Sequence, residues 1–310
     1  MTWTVNGTRF PEVGFGGPRE GIKSIYPYVP FAADSGFECY IPLSTIGANN
    51  ELRISYVWKH DDTALRRDHD LFYFLSDPVS IPSPDPERIE RVHGRTSASF
   101  FKQSGYSTFR KLDEALKSVV DRGLLEFGDV LDWGCGCGRV SRFFSDTDVR
   151  FHGAEIDKDN LGWCRDNLGF GTWHSFPLQP PTGLSDEAFD LVIGVSVFTH
   201  LNEATQFAWL EEIRRVLRPG GVAAFSTHGK AVVAQQHTWK DSTLQYYLRR
   251  GFIDGPNHDL DKVVTDRSYY RTTCHTKEYI LRKWSKYFDI LTFVPSYVGN
   301  IQDLVIVRKV

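Results

Sequence analysis

The chain has 310 residues, of which 41% are hydrophobic and 24% charged, enough apolar material for one large packed domain or two ordinary ones and too much for wholesale disorder. Lys and Arg total 36 against 39 acidic residues, a formal net charge of −3, which disfavours a general electrostatic grip on nucleic acid or an anionic bilayer. Mean hydropathy is −0.32, and no apolar run approaches the roughly 18 residues of a membrane span.

The opening MTWTVNGTRF lacks a charged segment followed by an apolar one, so no secretory signal is read there and a cytoplasmic location is expected. The five cysteines, Cys39, Cys135, Cys137, Cys164 and Cys274, are odd in number and scattered, a pattern of reduced thiols rather than a disulfide framework. Cys135 and Cys137 are read as small residues in a tight turn, because no second Cys/His pair stands nearby at ligand spacing. No metal is expected.

Residues 1–85 hold short apolar runs between glycines and prolines (VGFGG, GFECYIPL, ELRISYVW, LFYFL) and predict a small all-β module. Its polar cluster of His60, Asp61, Asp62, Asp68, His69 and Asp70 matches no standard ligand spacing and is read as an exposed turn. The module itself suits acceptor docking, carbohydrate association or homodimer formation. Prolines at 78, 82, 84 and 86 predict a stiff linker, and 86–106 is assigned to it.

From Ser107 the pattern turns helical: Phe109, Leu112, Leu116, Val119 and Val120 share one face, and Gly123 is the expected stop. Strands and helices then alternate. DVLDWG is followed by a helix through RVSRFF, VRFHGAEID by NLGWCRDNL, AFDLVIGVSVF by EATQFAWLEEIRRVL, and RPGG leads into VAAFSTH. This rhythm predicts an α/β fold with a parallel sheet covered on both faces. A polar stretch, 229–275, interrupts it and reads as a lid or binding insertion. TKEYILRKWSKYF, with Thr276 as its cap, and the strands FDILTFVP and DLVIVRKV complete the chain.

The segment VLDWGCGCGRV carries the most chemistry. Gly134, Gly136 and Gly138 stand at alternate positions between a strand and an expected helix, where glycine permits unusual torsions and close approach of a ligand. Amides at a helix start favour an anion, and Asp132 at the strand end suits an ammonium. Glu155 ends the next strand, where a carboxylate can accept from both hydroxyls of a ribose. The dinucleotide fingerprint G-x-G-x-x-G is not met, because Ser141 stands where its third glycine would fall. A ligand with a ribose, an amino group and a carboxylate satisfies these features together, and S-adenosylmethionine is one.

Residues 107–310 resemble a class I S-adenosylmethionine-dependent methyltransferase. LDWGCGCGR is similar to the first motif of that family, GAEID to the second, FDLVIGVSVFTHL to the fourth-strand motif and LRPGGVAAFS to the approach to the fifth strand. GCGCGR with SVFTHL further resembles bacterial enzymes of the small-molecule or sugar type. The resemblance implies a Rossmann-like domain with a mixed seven-stranded sheet, preceded here by the β module. It also implies S-adenosylmethionine as cofactor and S-adenosylhomocysteine as product. Asp132, Gly134, Gly136 and Gly138 would line the methionine portion, Glu155 would hold the ribose, Ile156 would meet the adenine, and Val195 and Ser196 would border the other side. The usual acidic residue after the third strand is missing, so backbone groups near His174 and Ser175 are assigned to the adenine edge.

An oxygen acceptor of high pKa needs a base, and His200, at the carboxyl end of a strand, is the first candidate, with His228 second. Tyr269, Tyr270 and Arg271 close the insertion and are the expected acceptor contacts; Trp133, Trp163 and Trp209 are expected in the core. The function so read is O-methylation of a small metabolite or a sugar or glycan intermediate. Two other readings remain open: a cofactor-binding but catalytically silent scaffold subunit, and a nicotinamide oxidoreductase.

Overall fold

The computed structural model describes residues 2–10, 14–25, 30, 32–34, 36–38, 50–60, 63–236, 239–261, 263–264 and 266–310. They divide into two compact units, Met1–Pro78 with Ala234–Trp239, and Val79–Val233 with Lys240–Val310.

In the first unit, β1 (Thr2–Val5), β2 (Thr8–Phe10), β5 (Glu51–His60) and β6 (Thr63–Phe74) form an antiparallel sheet in the order β2-β1-β5-β6. A separate pair joins β3 (Gly14–Gly17) to β4 (Gly36–Glu38), and α1 (Glu20–Ile25) lies between them in sequence. Asp61 and Asp62 lie outside the described residues, as does Cys39; β5 and β6 meet as a hairpin, with His60 opposite Thr63.

The second unit opens with two helices where a linker was expected. Helix α2 (Pro86–His93) is capped by Asp85, whose carboxylate accepts from Arg88 N at 3.0 Å, and it ends at left-handed Gly94. The proline run breaks structure only up to Asp85. Pro86 itself takes the first helical position, where its missing N–H costs nothing. Helix α3 (Ala98–Val120) begins at the Ser97 cap and buries Phe101, Gly105, Thr108, Phe109, Leu112 and Leu116 along one stripe. Its left-handed stop falls at Asp121, two residues before Gly123.

The large sheet follows: β7 (Asp129–Trp133), β8 (Arg150–Glu155), α4 (Lys158–Asn167), β9 (Thr172–Ser175), β10 (Phe189–Gly194), α5 (Glu203–Val216) and β11 (Leu217–His228). After α6 (Lys230–Val233) and α7 (Asp241–Arg250) come β12 (Phe252–Pro256), β13 (Arg271–His275), α8 (Lys277–Trp284), β14 (Asp289–Val298) and β15 (Gln302–Arg308). Seven strands run β9-β8-β7-β10-β11-β15-β14, parallel as far as β11 and antiparallel beyond it. The sheet is mixed and seven strands wide along this path, as the resemblance implied. Thr276 caps α8, as expected, accepting from Tyr279 N at 3.2 Å.

The 229–275 insertion is structured. Its strand β13 joins β11 through the pair His228–Cys274. The opposite edge of β11 is held by β15, so β13 occupies the β10 edge, past the last β10 pair, Gly194–Phe225. The β12–β13 hairpin therefore extends the sheet beyond the carboxyl end of β10, where open α/β sheets bind ligands. Beneath it Trp133, Phe198, Trp209, Phe225 and Trp284 form a buried aromatic core.

Candidate active site

A cavity opens at the carboxyl ends of β7, β8 and β10. Strand β7, fully buried, delivers Asp132, and the chain then turns through Gly134, Gly136 and Gly138, with φ of 77°, 56° and 77°. A Cβ on Gly134 would stand 2.4 Å from Val197 Cγ2, and one on Gly136 would stand 2.9 Å from Val92 Cγ2 on α2. Gly134 and Gly136 line the cavity. Gly138 does not: its Cβ position lies 2.6 Å from Leu168 Cδ1, so this glycine serves the packing of the turn on the end of α4.

The helix expected after the turn is reduced to a single 3-10 turn, Ser141–Phe144. Four of the loop amides are used internally. Gly134 N and Cys135 N donate to Ala154 O, Gly138 N to Cys135 O, and Gly136 N to Glu155 Oε2 at 2.8 Å.

Glu155 also accepts from Ile156 N at 2.7 Å and Asp157 N at 2.9 Å, both on Oε1. Burial raises its pKa and the three amides oppose that shift. A carboxylate offers about four acceptor sites, so one stays open on Oε2 and a two-hydroxyl clasp requires one amide to let go. Asp132 is 3% exposed and accepts from Ser141 Oγ at 2.6 Å. Burial pushes its pKa up to about 6, against the pull of Ser141 and Arg139 and with a further push from Glu155.

Ile156, Val195 and Ser196 line the cavity. Ser196 takes a left-handed backbone, φ 61°, which a non-glycine residue holds only with support. The support comes from neighbouring strand ends: Ser196 N donates to Ser226 Oγ at 2.7 Å, and both hydroxyls meet the Gln302 amide.

His200 also lines the cavity. Its ring stacks on Tyr270 at 4.2 Å and 14°. Its Nδ1 lies 2.9 Å from Arg271 O. A carbonyl only accepts, so Nδ1 carries the proton and Nε2 keeps its lone pair. Burial lowers the His200 pKa to about 4, so the ring is neutral at pH 7.

Besides Gly138, four expected contacts are corrected. His228 does not line the cavity; it lies behind His200, ring centroids 6.2 Å apart, and burial lowers its pKa to about 4. The Arg271 guanidinium also points elsewhere, pairing with Asp254 across the β12–β13 hairpin at 2.8 Å, and only its carbonyl serves the site. Tyr269 and Tyr270 do line the cavity. His174 stacks instead on His152 at 5.3 Å, and Ser175 is exposed. The chain turns one residue later, with Phe176 N bonded to Glu155 O at 3.0 Å, so the Phe176 ring takes the wall assigned to them.

Sequence reasoning missed much of the wall, and three parts of it bear on the chemistry. Trp133 and Trp209, 5.0 Å apart, are core residues whose rings also face the cavity. Arg91 and Val92 come from the supposed linker. Arg91 ties α2 to the start of α4, 2.6 Å from Asp159 and 3.3 Å from Asp157, and Arg88 also pairs with Asp159. The capping pattern D-x-x-R after the prolines was the available signal for this helix. The third part is Arg139, directly after the last glycine of the turn.

Residues 130–221 match the family model described as a methyltransferase domain. Residues 130–221 are thus similar to a methyltransferase domain. Two malonyl-[acyl-carrier protein] O-methyltransferases are similar to it. The one from Enterobacter lignolyticus is 28% identical over 150 residues, 47% of this chain and 56% of the relative. The one from Salmonella typhimurium is 30% identical over 146 residues, 46% and 53% of the two chains. The chain thus spans about half the length of the curated relatives it matches. Among solved structures, a SAM dependent methyltransferase from Aquifex aeolicus is 18% identical with a TM-score of 0.45, covering 73% of this chain and 100% of that one. No helix among the described residues is long and apolar enough to cross a membrane, and none of their His, Cys, Asp and Glu side chains group in threes able to hold a metal.

The residues of the methyltransferase domain fit its cofactor. Gly134 and Gly136 line the cavity without side chains, Glu155 stands at the strand end beside Ile156, and the buried Asp132 carboxylate lies in the same wall.

Proposed function

We propose that this protein binds S-adenosylmethionine in the cavity above β7, β8 and β10 and methylates a protic oxygen of a small metabolite or a sugar or glycan intermediate. When bound, the cofactor supplies an electrophilic methyl group on a sulfonium, so the protein has mainly to align donor and acceptor. Asp132 receives the ammonium, Glu155 the ribose hydroxyls, and Ile156 and Phe176 flank the adenine. Tyr269 and Tyr270 border the acceptor.

The observation that carries this reading is the His200 tautomer. With Nδ1–H committed to Arg271 O, Nε2 keeps only a lone pair, and the ring that carries it lines the cavity. That atom welcomes a hydroxyl proton and repels a bare anion. Because the ring is a weak base, with a pKa of about 4, the proton passes to Nε2 as the methyl bond forms rather than beforehand. The two O-methyltransferase relatives support oxygen as the acceptor atom.

The test incubates the protein with S-adenosylmethionine and a panel of hydroxylated metabolites and sugars, following S-adenosylhomocysteine release. Turnover is expected with a hydroxyl acceptor. His200→Asn is expected to lower kcat about 10²- to 10⁴-fold, the usual range for a lost general base, and to leave the Kd of S-adenosylhomocysteine within twofold. Intact cofactor binding with no turnover on any acceptor supports the scaffold reading instead.

A pH dependence follows from Asp132. Its pKa of about 6 means that it is mostly protonated at pH 5 and mostly ionised at pH 7, and only the ionised form attracts an ammonium. Calorimetric affinity for S-adenosylhomocysteine should therefore rise about tenfold from pH 5 to pH 7, with proton release near pH 6. Asp303 is also pushed up to about 6 but does not line the cavity, so Asp132→Asn should flatten the profile. A profile unchanged by that substitution would remove Asp132 from the site.

A further inference from the structure

His200 closes the 3-10 turn Phe198–His200, and one side chain of α5 grips the backbone of that turn. Gln206 is fully buried, and its Nε2 donates to Phe198 O at 3.2 Å and to Leu201 O at 2.9 Å, the carbonyls on either side of Thr199 and His200. Two carbonyls at one end of an amide can meet only its NH2, so Oε1 is the other end, and it lies 2.9 Å from His275 Nε2. His275 therefore carries its proton on Nε2. Strand β13 adds two ties to the same turn: Thr273 Oγ1 donates to Leu201 O at 2.8 Å, and Arg271 O accepts from His200 Nδ1.

The arrangement leaves one atom unsatisfied. With Nε2 donating, His275 Nδ1 offers a lone pair, and that buried atom has no hydrogen-bond partner among the described residues. Buried polar atoms are nearly always paired, and the exceptions gather at functional sites. The ring itself is fixed. His275 is 1% exposed and packs against Phe252, Tyr279 and Trp284, with ring centroids 5.3, 5.9 and 6.2 Å away. Burial lowers its pKa to about 3, with a further push from His228, so it stays neutral. A fixed neutral ring sets the sense of the Gln206 amide, and the amide sets two peptide planes beside His200.

We propose that Gln206 is a positioning residue for His200: its amide, oriented by His275, holds the turn so that the His200 ring reaches Arg271 O through Nδ1 and keeps Nε2 unprotonated. Neither Gln206 nor His275 lines the cavity, so both act through His200. This rests on the reading of His200 as the base, and the first measurement below separates the two.

The test reads the His200 ring itself and needs no acceptor. In the full chain carrying isotope-labelled histidine, followed by nitrogen NMR, the His200 signals are those missing from His200→Asn. Wild type is expected to show a protonated Nδ1 and a bare Nε2. A wild-type ring protonated on Nε2 overturns the base reading itself, before any other variant is made. Gln206→Met keeps the length of the side chain and loses both N–H groups. In it the ratio of Nδ1–H to Nε2–H tautomer at His200 should fall about three- to tenfold, the worth of one net hydrogen bond. On an acceptor found by the panel, kcat should fall about 10- to 100-fold, with KM and the Kd of S-adenosylhomocysteine within about twofold. A Gln206 that serves only the core would lower Tm and leave the tautomer ratio and kcat as they are, and that result overturns the inference. Should Gln206→Met show no melting transition, the ratio is read in Thr273→Val, which takes one of the two donors from Leu201 O. A smaller fall is expected there, and an unchanged ratio overturns the inference equally.

Discussion

Glu155→Ala is expected to weaken S-adenosylhomocysteine binding by about 100-fold, within the range found when a buried hydrogen-bonded charge is truncated. Two losses add. The ribose loses its acceptor, and Gly136 N, Ile156 N and Asp157 N lose the carboxylate that gathers them. The second loss loosens the glycine turn itself, so the variant should also melt earlier than wild type. Glu155→Gln separates the two effects. Its amide oxygen can still accept, but its NH2 faces an amide already pointing at it, so it should bind poorly while losing less thermal stability. Full affinity in Glu155→Ala would contradict the role assigned to this residue.

Gly105→Ala is expected to destabilise the protein, although alanine is the better helix former. In an open helix the exchange would gain roughly 1 kcal/mol. Here the new methyl would lie 2.2 Å from Arg139 O and 3.1 Å from Arg139 C. Backbone cannot swing aside as a long side chain does, so α3 or the cofactor turn must shift. Overpacking of this kind costs about 1–3 kcal/mol, which lowers Tm by several degrees in a domain of this size. The sign decides the matter in a thermal melt: a fall supports the close seat of Arg139 on α3, and a rise contradicts it.

Much of the sheet was legible because buried parallel strands and amphipathic helices leave periodic marks. Of the seven runs from DVLDWG to VAAFSTH, all but RVSRFF became the strands and helices expected of them, and Thr276 caps its helix as its position suggested. The glycine turn was legible for a related reason: three glycines at alternate positions after a buried strand have few other uses, and all three adopt positive φ.

What the sequence concealed depends on contacts far apart in the chain. Pro86 belongs to a proline run that reads as extended, and only the Asp85 cap and the pairing of Arg88 and Arg91 with α4 reveal a helix over the cavity. Ser175 and Phe176 are neighbours, and which of them meets the ligand depends on where β9 ends against β8. Arg271 looked like an acceptor contact, but the Asp254 that claims it lies on β12, seventeen positions earlier. Its contribution is a carbonyl, and no side-chain pattern announces a carbonyl. Trp133 and Trp209 were read as core because a ring between packed strands and helices is usually buried. Both are buried, and both also face the cavity.

The most direct test is a calorimetric titration of S-adenosylhomocysteine into the intact wild-type chain at pH 7.5. One molecule bound per chain, with affinity lost in Glu155→Ala, is the result this account predicts. No heat of binding at millimolar ligand, from protein whose melting transition shows it to be folded, would contradict it.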